Sequence, residues 1–162
     1  MHIRSAAACR ILLVAGLFLS ACDDDDDRDR FEATLSGANE VPANSSTATG
    51  SFTLTDFGNR FAFRLTVQNL DMPTAAHIHF GGAGVNGGVL VPLFGTSSPQ
   101  ASFSGTLADD EFVAADIVAL PGAAAPISLD SLRVLLRTGG AYVNVHTTAR
   151  PAGEIRGQVV AR

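Results

Sequence analysis

"GSFTLTDFGNRFAFRLTVQ", residues 50–68, decides the fold class. In its second half Phe61, Phe63, Leu65 and Val67 alternate with Arg60, Ala62, Arg64, Thr66 and Gln68. A strand turns successive side chains to opposite faces, so this order predicts a strand with one apolar and one polar face. Residues 50–55 repeat the pattern, with Phe52 and Leu54 set against Ser51 and Thr53. Between the two runs, "TDFGN" supplies Asp, Gly and Asn, which tight turns use. Residues 50–68 are therefore expected to form a hairpin.

Further strands are expected at about 31–36, 75–80, 88–94, 101–107, 141–147 and 153–160, most of them separated by Gly, Pro and Asn clusters. Short strands at such spacing predict an all-β domain, an antiparallel sandwich or barrel. "SLDSLRVLLRTGG", residues 128–140, departs from this pattern: Leu129, Leu132, Leu135 and Leu136 recur at helical spacing. Ser128 suits an N-cap and Gly139 or Gly140 a C-cap. One short helix near 128–138 is expected, laid across one end or edge of the sheet.

The N-terminus reads differently. Arg4 and Arg10 give a positive stretch ahead of a short apolar run, "ILLVAGLFL" at 11–19, too short to span a membrane as a stable helix. "LSAC", residues 19–22, then places small residues before a cysteine. Residues 1–21 are expected to be a lipoprotein signal peptide, with Cys22 the lipidated N-terminus of an exported protein held on the inner or outer membrane. Cys9 would leave with the signal, so no disulfide, cysteine ligand or cysteine nucleophile is expected. "DDDDDRDR" at 23–30 repels itself and reads, with Cys22, as an acidic tether over 22–30. The folded domain is expected over 31–162. That segment holds seven Arg, ten Asp and Glu and no Lys. Without a basic run or interleaved aromatics, no nucleic-acid partner is expected.

Besides His2, the chain has three histidines. His77 and His79 lie in "AAHIHFGGAGVNGGVLVPLF", residues 75–94, and share one strand face, opposite Ala76, Ile78 and Phe80. In "AYVNVHT", residues 141–147, Tyr142, Asn144 and His146 share a face, opposite Val143 and Val145. If the two strands are neighbours, His77, His79 and His146 converge. Three imidazoles suit Cu, Zn or Ni, and copper or zinc is the expected cofactor. Protons compete for ring nitrogens, so binding is expected to weaken as pH falls through about 6.5. The alternative is that these histidines hydrogen-bond backbone or carboxylate groups and fix loops. Gly81, Gly82, Gly84, Gly87 and Gly88 precede a strand-like segment rather than a helix, so they read as a tight loop and not a phosphate cradle. Ser97 and Ser98 lie in a polar loop without a nucleophile-elbow pattern, and no catalytic residue is assigned.

Four blocks, "GANEVP" at 37–42, "AAHIHFGGAGVNGGVLVPL" at 75–93, "AYVNVHT" at 141–147 and "PAGEIRGQV" at 151–159, resemble the CHRD domain family across residues 31–161. The resemblance implies an immunoglobulin-like β fold and brings no established activity. Glu40 and Glu154 belong to these blocks. Each reads either as a ligand or partner of an imidazole N–H, or as a structural carboxylate salt-bridged to Arg156 or capping a turn. Tyr142, Asn144 and Arg156 stand beside them as supporting residues. Locally, "HIHFGGAGVNG" is similar to the copper-binding strand and loop of copper/zinc superoxide dismutases. By that similarity His77 and His79 stand for a copper-binding pair and His146 for the distal copper histidine. The bridging histidine, the other zinc ligands and the disulfide pair are missing, so a complete dismutase is not expected. The functional expectation is an envelope-anchored binding or structural module with a transition-metal site. The alternative is a metal-dependent redox or hydrolytic enzyme built on the same histidines.

Overall fold

The computed structural model describes residues 28–162. The expected signal peptide, Cys22 and the aspartate run that follows it lie outside the described residues. Along the chain come β1 (Arg30–Ser36), β2 (Thr49–Asp56), β3 (Arg60–Leu70), β4 (Pro73–Phe80), β5 (Val89–Gly95), β6 (Phe103–Val113), helix α1 (Leu129–Arg137), β7 (Ala141–Thr147), β8 (Ile155–Gln158) and β9 (Val160–Ala161). β2 and β3 form the expected hairpin, in register from Thr49 opposite Gln68 to Asp56 opposite Phe61. Gly58, at φ 85°, takes the left-handed conformation in the turn, and the Asp56 carboxylate accepts its N–H at 2.7 Å.

All strand pairs are antiparallel, in the order β5-β4-β7-β8-β1-β2-β3-β6, with β9 pairing β1. This single sheet curls into a nearly closed barrel, the form adopted of the two that alternation left open. Its inner face is the apolar half of each alternating strand. Phe31, Leu35, Phe52, Leu54, Phe61, Leu65, Ile78 and Val145 are essentially without solvent contact. Phe61 stacks on Phe112 at 5.2 Å between ring centroids, and Phe63 touches both Phe52 and Phe112. Such ring pairs contribute about 0.5–1.5 kcal/mol each beyond their burial.

Two strands differ from expectation. β6 runs on to Val113 rather than ending near 107. Opposite β3, Leu65 pairs with Ala108 and Thr66 with Thr106, so Leu107 is an extra residue in β6. This bulge breaks the alternation. The acidic run beyond it continues the ladder with β3, anchored by Phe112, which is buried against Phe61, with Asp109 and Glu111 set beside Arg64 and Arg60 on the open face. The expected strand at 153–160 is divided where it loses one partner: Ile155–Gln158 pair with β7 and, at Arg156, with β1, whereas Val160 and Ala161 pair with β1 alone.

The helix is capped much as expected. Ser128 Oγ accepts the Ser131 N–H at 3.1 Å. Both glycines end the helix: Gly139, at φ 68°, reverses the chain, and the Gly140 N–H reaches Leu135 O at 2.7 Å. Leu132 and Leu136 bury the inner side of α1. Arg133 binds the Asp56 carboxylate at 2.5 Å, fastening the helix to the β2–β3 end of the barrel.

Candidate metal centre

β4 and β7 are neighbours. His77 lies opposite Asn144, His79 opposite Tyr142, and Ala75 opposite His146. Directly opposed residues share a face, so all three histidines stand on the outer side while Ile78, Val143 and Val145 enter the core. β8 adds Arg156 opposite Asn144 and Gln158 opposite Tyr142. Loops roof this outer face. The 81–88 loop places Gly87 O 3.0 Å from His79 Nδ1, and the turn after β7 places Pro151 O 2.9 Å from His146 Nδ1. Each carbonyl can only accept, so each Nδ1 carries the proton and each Nε2 keeps its lone pair.

His79 Nε2 is buried with no hydrogen-bond partner among the described residues, and His77 Nδ1 lies 3.1 Å from His146 Nε2. One ring nitrogen from each histidine lies within 4.8 Å of the others. Two nitrogens bound to one metal at about 2.0–2.1 Å in tetrahedral geometry sit roughly 3.3 Å apart. The His77–His146 contact is a hydrogen bond, His77 Nδ1–H donating to the His146 Nε2 lone pair, so a metal held by both nitrogens would take the place of that proton and draw the third nitrogen closer.

Burial holds all three imidazoles neutral. His77 is pushed down to about 4, first by burial and then by His146 and His79. His79 and His146 are also lowered by burial, against the opposing pull of the Gly87 and Pro151 carbonyls. The expected weakening of metal binding near pH 6.5 is thereby displaced to lower pH, because burial disfavours the competing imidazolium.

The other candidates surround this cluster without joining it. Tyr142 stacks on His79 at 4.9 Å and 9°, and its hydroxyl accepts the Gly87 N–H at 3.2 Å. Asn144 donates to Glu40 Oε1 at 2.7 Å, while its own Oδ1 is buried without a partner. Burial raises Glu40 to about 7, against the influence of Arg156 and the Val41 N–H. Glu154 accepts from Ser46 and Thr147, each at 2.6 Å. Neither glutamate belongs to the three-histidine group, and backbone carbonyls take the role offered to them as imidazole partners. The expected salt bridge of a glutamate to Arg156 is replaced. Arg156 hydrogen-bonds Asn86 Oδ1 and the Gly82 and Val85 carbonyls, while Asn144 occupies Glu40 and the Ser46 and Thr147 hydroxyls occupy Glu154.

Sequence reasoning missed Asn86, Gln158 and the two carbonyls that orient the rings. Gln158 Nε2 donates to Gly81, Gly139 and Ala141 carbonyls, tying the loop to the helix end and β7. Backbone carbonyls leave no side-chain signature. The one available signal was Gly87, where a Cβ would lie 1.7 Å from Phe80 O. That glycine is required for close approach rather than for turning.

The family model of the CHRD domain matches residues 31–159. The chain belongs to the CHRD domain family. No curated protein and no solved structure matches it. The CHRD blocks now have a spatial meaning. The first brings Glu40 to Asn144, the second and third carry the histidines and Tyr142, and the fourth carries Glu154, Arg156 and Gln158. Gly153 of the last block lets Glu40 close on Asn144, since a Cβ there would lie 2.4 Å from Asn144 Nδ2 and 2.7 Å from Glu40 Oε1. In this CHRD domain His77 and His146 are half-buried and His79 is buried.

Proposed function

We propose that this CHRD domain is a transition-metal-binding module, taking copper or zinc through His77, His79 and His146, and carried on the cell envelope by a lipid on Cys22. The observation that carries the metal reading is the buried, partnerless Nε2 of His79, aimed at two further neutral imidazoles. A buried polar atom without a partner costs about 1–3 kcal/mol, and a bound metal removes that cost. The His-x-His pair with a late third histidine, similar in placement to the copper ligands of copper/zinc superoxide dismutases, supports the same reading. The anchor is supported by the order of basic residues, apolar run and "LSAC" in the first 22 residues.

Calorimetric titration with Cu(II) and Zn(II), and anaerobic competition for Cu(I), test the metal reading. The His77→Ala/His79→Ala variant keeps the aspartate run and so controls for it. Binding as tight in the variant as in the parent, or no binding of any of these ions, overturns the reading. Cys22→Ser should release the protein from membranes or stall its processing; a variant that stays as membrane-bound as the parent overturns the anchor.

A second reading makes the same centre a metal-dependent redox or hydrolytic enzyme. The half-exposure of His77 and His146 favours it, because a reachable coordination position is what a catalytic metal needs. Turnover by the metal-loaded protein that is lost in the double variant would establish it.

A further inference from the structure

We propose that the three-histidine centre selects monovalent copper, Cu(I), over Cu(II) and Zn(II), and that Arg156 strengthens this selection through Tyr142. The proposal rests on the reading of the cluster as a metal centre and adds which ion, in which oxidation state, it takes.

The first argument is charge. The group contains three neutral imidazoles and, among the described residues, no carboxylate or thiolate. A bound ion therefore keeps its whole charge, two units for Cu(II) or Zn(II) and one for Cu(I). Buried surroundings penalise the larger charge more. His77 and His146 are half-buried and His79 is 8% exposed, with Tyr142 3% and Arg156 2% exposed behind it, so the penalty acts from the His79 side of the centre.

The second argument is a fixed cation nearby. The guanidinium carbon of Arg156 lies 3.4 Å from the centroid of the Tyr142 ring, and His79 stacks on that ring at 4.9 Å. Two groups of this size cannot share one face, so Tyr142 is held between ligand and cation. The oxygens that Arg156 bonds belong to an amide and two carbonyls rather than to an acid. Glu40, the carboxylate that also feels Arg156, is buried and bonded to Asn144, and burial disfavours its own ionisation. One charge on the order of 8–10 Å from the ion discriminates between adjacent oxidation states roughly tenfold at the effective dielectric of a protein.

The third argument is coordination. Cu(II) seeks a square-planar or tetragonal set of ligands, and zinc sites are almost always four-coordinate. Two neighbouring strands supply three donors here, so a dication must complete its shell from solvent. Cu(I) and Zn(II) both have a filled d shell, so against zinc the contrast is one of number: Cu(I) is satisfied by three donors, where Zn(II) takes a fourth.

The test uses the full chain. Cu(I) affinity is read anaerobically by competition with a chromophoric Cu(I) chelator, and Cu(II) and Zn(II) affinities by chelator competition. In each case binding that persists in the His77→Ala/His79→Ala variant is subtracted. The expected result is a Cu(I) dissociation constant at least tenfold below those of both dications. Against Cu(II), each tenfold preference raises the one-electron reduction potential by 59 mV. Cu(II) or Zn(II) bound as tightly as Cu(I) overturns the proposal while leaving the metal centre standing. No ion bound at the histidines overturns both. Arg156→Gln, if folded by circular dichroism, should lower the Cu(I) preference roughly tenfold, and Arg156→Lys should retain more of it. An unchanged preference in folded Arg156→Gln overturns the part given to Arg156. The parent's own preference decides the selectivity whether or not that variant folds.

Discussion

The outer faces of β3–β6 and of β4–β7–β8 carry polar rows of similar alternation, yet they meet different fates. On β3–β6, Arg60 pairs with Glu111 at 2.9 Å and Arg64 with Asp109 at 2.6 Å, with side chains 39–61% exposed. Water solvates these groups whether or not they pair, so the pairing adds little. On β4–β7–β8, loops cover His79, Tyr142, Asn144 and Arg156. Groups under that roof lose water and need partners. His79 Nε2, Asn144 Oδ1 and Gln158 Oε1 have none among the described residues. An alternating polar row is a solvated surface where it is open and a site where loops enclose it.

The inner faces should not show this contrast. Phe63 is 5% exposed and packs on Phe52 and Phe112. Phe63→Ala is expected to cost about 3–5 kcal/mol in urea unfolding. A loss under about 1 kcal/mol would break the common core on which the comparison rests.

Disturbing the roof comes next. In Gly87→Ala the added methyl meets Phe80 O, so the loop must lift, at a cost of roughly 1–3 kcal/mol. Lifting it also withdraws the carbonyl that orients His79, and metal affinity should fall about 10–100-fold. Unchanged affinity in a folded Gly87→Ala protein would show that the roof does not set the site.

Acid should separate the two faces. The three imidazoles are depressed in the folded protein, His77 to about 4 from an ordinary 6.5. Between those values the unfolded chain takes up protons that the folded chain refuses. Stability should therefore be full above 6.5 and decline as pH falls toward 4. Glu40, raised to about 7, acts in the opposite sense: the folded protein holds its proton below 7, and stability rises as pH falls from 7 to 4.5. Three histidines against one glutamate leave a net decline. Asp56, lowered by Arg133 against its burial, contributes only later, losing its share as pH falls below its ordinary 3.8. Urea unfolding at pH 8, 6 and 5 should show this early decline, reduced in His77→Ala/His79→Ala. The same slope in parent and variant would contradict it.

The smallest effect belongs to the open face. Arg64→Ala removes an exposed pair and should change stability by less than about 1 kcal/mol. A larger loss would mean that this face, too, is cooperatively organised.

Much of this was legible in the residue order. Alternation located β2, β3, β4 and β7 to within a few residues, Ser128 and the Gly139–Gly140 pair bounded the helix, and the shared face of His77 and His79 followed from i and i+2 spacing. The extension of β6 was hidden because Leu107 shifts the period and the acids after it resemble loop until their arginine partners are seen. Within the site, the histidines and Tyr142 were visible as side chains. The Gly87 and Pro151 carbonyls were not, since every residue has a carbonyl.

The sequence by itself determined which side chains share a face, because that follows from the stereochemistry of an extended backbone, residue by residue. Only the tertiary structure decided that Ala75 pairs with His146, bringing the third imidazole to the other two from 69 residues away. It also decided that loops exclude water from one polar row and leave the other wet. Register and desolvation arise from contacts between distant segments, and no local period of the chain encodes them.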